Sequence, residues 1–142
     1  MANVMEWYKF SLDNTSGLMK PIIFCTSSEI EELSEAYSMN IPIAKELQKS
    51  GSSMMRTMKM ESILSSIISK LGDNPIIKDI DVMFNPDYQL DVLRTLMNVS
   101  KRKSFMVVWP GTYKDGKLIY AQEGYSDYKS FDLNDYDITV VI

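Results

Sequence analysis

The chain has 142 residues, 45% hydrophobic and 24% charged, which is typical of one folded domain over residues 1–142 and not of a disordered segment. Its 19 acidic and 15 basic residues give a net charge of −4, which argues against a general nucleic-acid binder. Because the sequence has no histidine, Ser-His-Asp catalysis, Cys-His catalysis and every histidine-containing metal site are excluded.

The apolar runs of the sequence are short. Residues 22–25 and 105–109 are the longest, far below the roughly 20 residues of a membrane-spanning helix. The first residues lack the basic region and continuous apolar stretch of a secretory signal, and the single cysteine cannot form an internal disulfide. The sequence therefore predicts a cytoplasmic protein without a membrane segment.

The N-terminal part is predicted to alternate helices and strands. Aromatic residues among polar neighbours indicate a helix over about 4–12. Residues 20–25 form a short apolar run bounded by turn residues, which is typical of a strand buried on both faces. A helix is predicted over 28–37, and a short edge strand over 40–43 because Pro42 suits a strand end.

The middle of the chain has the clearest helical pattern. Over residues 54–71 apolar side chains recur at intervals of three and four residues, which predicts a helix, and Gly72 follows in the C-cap position. A buried strand is predicted over 75–80, then a helix from Pro86 to about 100 with Leu90, Val92, Leu93, Leu96 and Met97 inward. Residues 104–109 form a third buried strand.

The C-terminal part begins with a hairpin signal. Asp115-Gly116 favours a type I′ turn between strands over 112–114 and 117–120, and a last strand is predicted over 137–142. Buried strands that alternate with helices indicate a mainly parallel sheet covered on both faces. Ligands are then expected beyond the carboxyl ends of the strands, at Thr26, at 78–81 and at Trp109.

An ordered run of short motifs lies in the second half of the chain. The motifs are Phe84-Asn85-Pro86, Leu90-Asp91-Val92-Leu93-Arg94, Trp109-Pro110-Gly111 and Tyr120-Ala121. In order and spacing this run resembles the BrxF family, the small P-loop proteins of type 3 BREX phage-exclusion systems. The resemblance implies a three-layer α/β P-loop NTPase-like fold with a mainly parallel sheet and a C-terminal β-hairpin. It also implies partners among the other proteins of an anti-phage defence system.

The nucleotide motifs of that family are degenerate in this chain. A P-loop has the form G-x-x-x-x-G-K-[ST], whereas strand 22–25 is followed by Thr26, Ser27, Ser28 and Glu29, with neither glycine nor lysine. Ser28 and Glu31 have the spacing of a capping box, which would occupy the N–H donors that a P-loop aims at phosphate. At the Walker B position Lys78 replaces the first acid and Asp79 follows it, so the Mg²⁺ ligand is missing.

We therefore predict a non-catalytic scaffold or adaptor subunit of the defence system, a P-loop-like protein without ATP hydrolysis and without a cofactor. Its expected partners are other defence proteins or a second copy. The expected interface residues are aromatic, since aromatic side chains dominate interface energetics. They are Trp109, Tyr113, Tyr120, Tyr125 and Tyr128.

Other readings stay open. A divergent nucleotide-binding protein would hold its ligand near Thr26 and Asp79. A nucleic-acid-binding regulator would use the basic residues Arg94, Lys101, Arg102 and Lys103 for weak, salt-sensitive contacts. An enzyme of another chemistry is the last alternative. Trp109 could stack on a base but is more often a core or interface anchor, and Cys25 has no histidine to activate it.

Overall fold

The computed structural model describes residues 1–26 and 30–142. These residues form an α/β fold with two sheets. The larger sheet contains β1 (Asn3–Met5), β2 (Ile22–Phe24), β3 (Tyr37–Ser38), β4 (Ile76–Lys78), β5 (Met106–Val108) and β9 (Thr139–Val141). The smaller sheet contains β6 (Thr112–Lys114), β7 (Lys117–Tyr120) and β8 (Lys129–Asp132). The α-helices are α1 (Glu31–Ser34), α2 (Asn40–Gln48), α3 (Ser53–Ser69) and α4 (Val92–Ser100).

The larger sheet is parallel, with the strand order β1-β9-β2-β5-β4-β3. Strand β2 lies in its middle, where Ile23 pairs with Val107 of β5 on one side and Val140 of β9 on the other. The short apolar runs of β2, β5 and β9 suit strands buried on both faces. The predicted strands over 20–25, 75–80, 104–109 and 137–142 and their mainly parallel arrangement are confirmed.

The two faces of the parallel sheet are covered differently. On one face Ile23, Ile77 and Val107 belong to the core that includes the buried sides of α2, α3 and α4. On the other face Phe24 packs against Trp7 and Phe10, with ring centroids 5.9 and 5.4 Å apart. Leu33 of the four-residue helix α1 adds to this second cluster. Instead of the expected helices on both faces, the described residues cover the second face mainly with an irregular N-terminal segment.

The N-terminal segment differs from its prediction. The helix predicted over 4–12 is wrong: β1 pairs with β9, and only a 3-10 turn, Trp7–Lys9, follows. The backbone N–H of Ile142 donates to the carbonyl of Met5 at 2.9 Å. Pairing with a strand far along the chain and aromatic packing on Phe24 outweigh the weak local helical pattern.

The region before α3 also differs. The strand predicted over 40–43 is wrong, because these residues begin α2. Pro42 lies in the first turn of that helix, where its missing N–H costs no hydrogen bond. The short edge strand is β3 instead. Helix α1 begins at Glu31, later than predicted, and Ser28, the predicted cap, lies outside the described residues.

The two later helices match their patterns more closely. Helix α3 is confirmed, with Ser52 as N-cap, but its C-cap is Lys70 and not Gly72. Pro86 does not begin α4: it starts a separate 3-10 turn that ends at Gln89, whose φ is 49°. Helix α4 begins after Asp91, whose carboxylate accepts from the Arg94 N–H at 3.0 Å.

The smaller sheet lies between β5 and β9 in the sequence. Its hairpin is confirmed: φ is 51° at Asp115 and 75° at Gly116, the positive values that a type I′ turn requires. The third strand, β8, was not predicted. It is antiparallel to β7 and places Phe131 opposite Leu118. No described helix combines the length and apolar character needed to cross a membrane.

Candidate functional site

A cleft of about 570 Å³ lies beyond the carboxyl ends of β2 and β5. The chain passes from β2 to β3, β4 and β5 on one side of β2 and then to β9 on its other side. Ligand sites of parallel α/β sheets lie at such a reversal of strand order. The lining residues are Glu6, Phe24, Cys25, Thr26, Ile30, Leu33, Val108, Trp109, Gly111, Thr112, Tyr113 and Ile142. The volume lies within the range of small-molecule pockets.

The charge of this cleft disfavours a triphosphate. Among its described lining residues the one charged side chain is Glu6, an acid. In the sequence, the residues between Thr26 and Ile30 are Ser27, Ser28 and Glu29, without lysine, arginine or glycine. An uncompensated carboxylate repels phosphate, and no described cation of the cleft opposes that repulsion.

Helix α1, which follows β2, offers little to an anion. It has only four residues, and its N-cap is Ile30, whose side chain accepts no hydrogen bond. Phosphate binding at a helix N-terminus depends on free N–H donors and on the aligned dipoles of a longer helix. The capping-box prediction for Ser28, and the placement of Ser27, lie outside the described residues.

The two residues of the predicted Walker B position, Lys78 and Asp79, lie away from the cleft. Strand β5 separates β4, with Lys78 at its end, from β2. The Lys78 ammonium donates to the carbonyl of Ser34 at 3.2 Å, at the end of α1. Asp79 has a φ of 54° and accepts a hydrogen bond from Ser38 at 2.7 Å. Of the residues predicted near the degenerate site, the described ones are therefore divided: Thr26 lines the cleft, whereas Lys78 and Asp79 do not.

Asp81 connects the two sheets, a role that the sequence analysis missed. Its carboxylate accepts hydrogen bonds from the Tyr120 hydroxyl at 3.1 Å and from the Asn40 amide at 3.3 Å. The Tyr120 ring stacks on Phe84, with centroids 3.8 Å apart and an interplanar angle of 7°. Burial, followed by the hydrogen bond to Asp81, raises the pKa of Tyr120 to about 12. Tyr120 is thus a contact within the fold.

Trp109 is a core residue in this structure. Only 4% of it is exposed, and its indole N–H donates to the carbonyl of Ile119 at 3.0 Å. Its ring meets Phe84 and Phe131 edge-on, with centroids 5.5 and 5.7 Å apart. β7 also approaches the backbone at Gly111 closely. A Cβ at that position would lie 1.9 Å from the Ile119 oxygen, so only glycine fits there. Trp109 therefore connects the two sheets, and its buried ring is not accessible for stacking on a nucleic-acid base.

The remaining predicted interface tyrosines differ in exposure. Tyr125 is 65% exposed, whereas Tyr113 and Tyr128 are half-buried. Tyr113 forms part of the cleft wall. Tyr113 and Tyr125 therefore present accessible aromatic surface, one inside the cleft and one on the connection between β7 and β8.

The structure does not unite the predicted basic residues. Arg94 donates to the carbonyl of Asp135 at 2.9 Å and lies 4.9 Å from the centre of the Tyr136 ring. Lys103 donates to the carbonyls of Leu71 and Ile68 at 2.6 and 3.0 Å, at the end of α3. Lys101 and Arg102 are exposed. Arg94 and Lys103 therefore stabilise the fold, whereas Lys101 and Arg102 extend into solvent.

Cys25 lies in the cleft, where no described lining residue is a base that could activate its thiol. Burial raises the pKa of its thiol to about 11, and its sulfur lies 3.8 Å from the carbonyl oxygen of Gly111. The thiol is protonated at neutral pH and is a poor nucleophile. In the described part of the chain, no three Cys, Asp or Glu side chains are placed to hold a metal ion.

Comparison with protein-family models, with curated proteins and with solved structures gives no match to this chain.

Proposed function

We propose that this chain is a non-catalytic protein-binding module, a P-loop-like scaffold whose cleft does not bind a nucleoside triphosphate, and that it acts as an adaptor subunit of an anti-phage defence system. One observation carries the proposal. The cleft where such a scaffold would bind its nucleotide contains no described cation, and its one charged described side chain is Glu6.

The sheet topology supports the P-loop-like part of the proposal. Strand β2 is central and α1 is the next described element, and a P-loop lies between a strand and a helix in this order. Strand β4 carries the Walker B position at its carboxyl end, on the same edge of the sheet. The chain therefore retains the order of elements while both positions lack the required residue types.

The surface of the cleft supports protein binding. Apolar side chains such as Phe24, Leu33 and Val108 contribute to its lining, and Tyr113 adds an aromatic ring. Interfaces are held mainly by a few apolar or aromatic anchors that fill pockets of this kind. An apolar side chain of a partner protein would gain from burial here, whereas a phosphate would lose its hydration without compensation.

The defence-system part of the proposal rests on the motif run of the second half. Residues of three separate motifs contact one another, since Phe84 stacks on Tyr120 and meets Trp109 edge-on. Asp91 caps α4 and accepts from the Tyr136 hydroxyl at 2.9 Å. The aromatic residues of these motifs thus pack together where the two sheets meet, and this contact gives a physical reason for the order and spacing of the motifs.

The nucleotide part is tested by calorimetric titration of the full chain with ATP and Mg²⁺. We expect no heat of binding up to about 100 µM ligand, because a missing cradle removes most of the affinity. A micromolar dissociation constant would overturn the proposal.

The partner part is tested by co-expression with the proteins encoded beside this chain. We expect Tyr113→Ala to weaken co-purification of a neighbour-encoded partner, while Tyr8→Ala, which removes a 73% exposed ring elsewhere, leaves it unchanged. Equal behaviour of the two variants, with both folded, would contradict a partner site in the cleft.

A further inference from the structure

A second concave surface lies between the end of α2 and the outer side of α3. We name it the α2–α3 groove, and its volume is about 490 Å³. Three lysines and three serines provide its polar lining, with one acid, Glu46. They are Lys49, Lys59, Lys70, Ser50, Ser62 and Ser66. The groove carries net positive charge on a chain whose net charge is −4.

The donors on α3 form a straight row. Lys59, Ser62, Ser66 and Lys70 follow one another at intervals of three, four and four residues, so they share one side of the helix. At 1.5 Å per residue the row is about 16 Å long. Lys49 lies across the groove at the end of α2. The ammonium groups of Lys49, Lys59 and Lys70 can therefore contact one extended ligand in the groove.

Most of these donors have no partner within the fold. Among the described residues, the side chains of Lys59 and Lys70 make no ion pair or hydrogen bond, and neither do the hydroxyls of Ser62 and Ser66. Lys49 pairs only with Glu46, at 3.2 Å in an exposed position. This contrasts with Lys103, which is used to bind backbone carbonyls. The groove thus has hydrogen-bond donors that folding does not require.

The donor types favour phosphate over other anions. Lysine binds phosphate as a point charge and serine hydroxyls donate to phosphate oxygens, whereas planar carboxylates favour the fork of arginine. The described lining includes no arginine and no aromatic ring. Without a ring on which bases stack, the groove lacks the platform typical of single-strand binding.

We propose that the α2–α3 groove binds a short chain of phosphate groups, either free or as the tail of a small molecule. This site is separate from the cleft and does not depend on the proposed function. The affinity is expected to be low, with a dissociation constant of about 1 mM in dilute buffer, because exposed ion pairs are individually weak.

The test uses the full chain, inorganic tripolyphosphate and NMR titration at low salt. Lys59→Gln combined with Lys70→Gln is expected to weaken binding about five- to tenfold. The matched control, Lys114→Gln with Lys117→Gln, removes the same charge from exposed positions of the β6–β7 hairpin and is expected to change it less than about twofold. Glu46→Gln is expected to strengthen binding about two- to threefold, since it removes repulsion and releases Lys49.

Three results would overturn the proposal. Equal weakening by both double variants would mean that net charge alone attracts the probe. No shift of groove resonances at about 5 mM tripolyphosphate would mean that there is no site. Binding of a ten-nucleotide DNA strand at least about tenfold tighter, with the same dependence on Lys59 and Lys70, would assign the groove to nucleic acid. Titration with ATP and with tripolyphosphate in parallel distinguishes a nucleotide tail from a free chain.

Discussion

The cleft at the carboxyl edge of the sheet and the α2–α3 groove are opposites in construction. The wall of the cleft is built from residues that the fold needs, such as Trp109 and Gly111. The α3 side of the groove presents exposed lysines and serines, Lys59, Ser62, Ser66 and Lys70, whose side chains bind no other described residue. A phosphate site is expected at the carboxyl edge of a parallel sheet, yet the described residues that line the cleft there include no cation, while the α3 side of the groove has two. The place in the fold and the residue types that suit phosphate are therefore found in different parts of the molecule.

The largest expected effect belongs to the wall of the cleft. Gly111→Ala would place a Cβ 1.9 Å from the Ile119 oxygen, so β7 must move. We expect a loss of about 3 kcal/mol in the free energy of unfolding, at the upper end for overpacking. Gly72→Ala is the matched control, because nothing lies within 4 Å of its Cβ. Urea denaturation measures both variants. Equal midpoints would contradict the close packing of Gly111 against Ile119.

The next effect concerns Lys103, which follows α4 and donates to carbonyls at the end of α3. Lys103→Ala removes two hydrogen bonds to backbone carbonyls and is expected to cost about 1–2 kcal/mol. The exposed Lys101→Ala is expected to change the free energy of unfolding by less than about 0.5 kcal/mol. Thermal denaturation compares the two. Similar melting temperatures would show that Lys103 is as dispensable as its neighbour.

The contact between the sheets predicts a pH dependence. The pKa of Tyr120 is raised to about 12 in the folded state, above that of an unfolded tyrosine near 10. The unfolded chain therefore loses this proton first, and the stabilisation that is complete below about pH 10 disappears as the pH rises towards 12. We expect a smaller decline of stability over this range in Tyr120→Phe than in the unsubstituted chain. Denaturation at several pH values measures the difference, and parallel declines would exclude Tyr120. Tyr136, whose pKa is raised to about 12 by burial and by Asp91, contributes to the remaining decline.

The smallest expected effect is in the groove itself. Lys59→Gln with Lys70→Gln is expected to leave the free energy of unfolding within about 0.5 kcal/mol, because neither side chain has a partner among the described residues. Urea denaturation measures the free energy of unfolding of this double variant and of Gly111→Ala under the same conditions. A loss of several kcal/mol would mean that these lysines are structural, which would remove the distinction between the two surfaces.

Lys78→Asp is expected to restore no ATP binding, since one carboxylate cannot replace the missing cradle of N–H donors. Calorimetry with ATP and Mg²⁺ checks this. Micromolar binding by the variant would show that only the metal ligand was missing from an otherwise competent site.

The sequence predicted the buried strands and α3 well because their signals are local. The short apolar runs of β2 and β5 and the spacing of Met60, Ile63 and Leu64 directly reflect burial in the core. The hairpin was equally readable from Asp115-Gly116.

What the sequence did not reveal depends on partners far along the chain. Strand β1 exists because Asn3 and Met5 pair with β9, more than 130 residues away, and β8 forms in a polar stretch because β7 lies beside it. The role of Asp81 could not be predicted, since Asn40 and Tyr120 meet it only in the fold. The lack of the P-loop residue types after β2 is visible in the sequence itself, which has neither glycine nor lysine over residues 26–29. The groove was missed because its lysines and serines look like an ordinary solvated helix side.

The position of Cys25 gives the protein a built-in reporter. It is the one cysteine of the sequence and it lines the cleft, so a thiol-specific reagent would label a single site. With its pKa raised to about 11, labelling should be slow at pH 7 and accelerate as the pH rises. A partner side chain that fills the cleft would shield the sulfur, whereas tripolyphosphate in the groove would leave the labelling rate unchanged. The unmodified protein can therefore report which of its two surfaces is occupied.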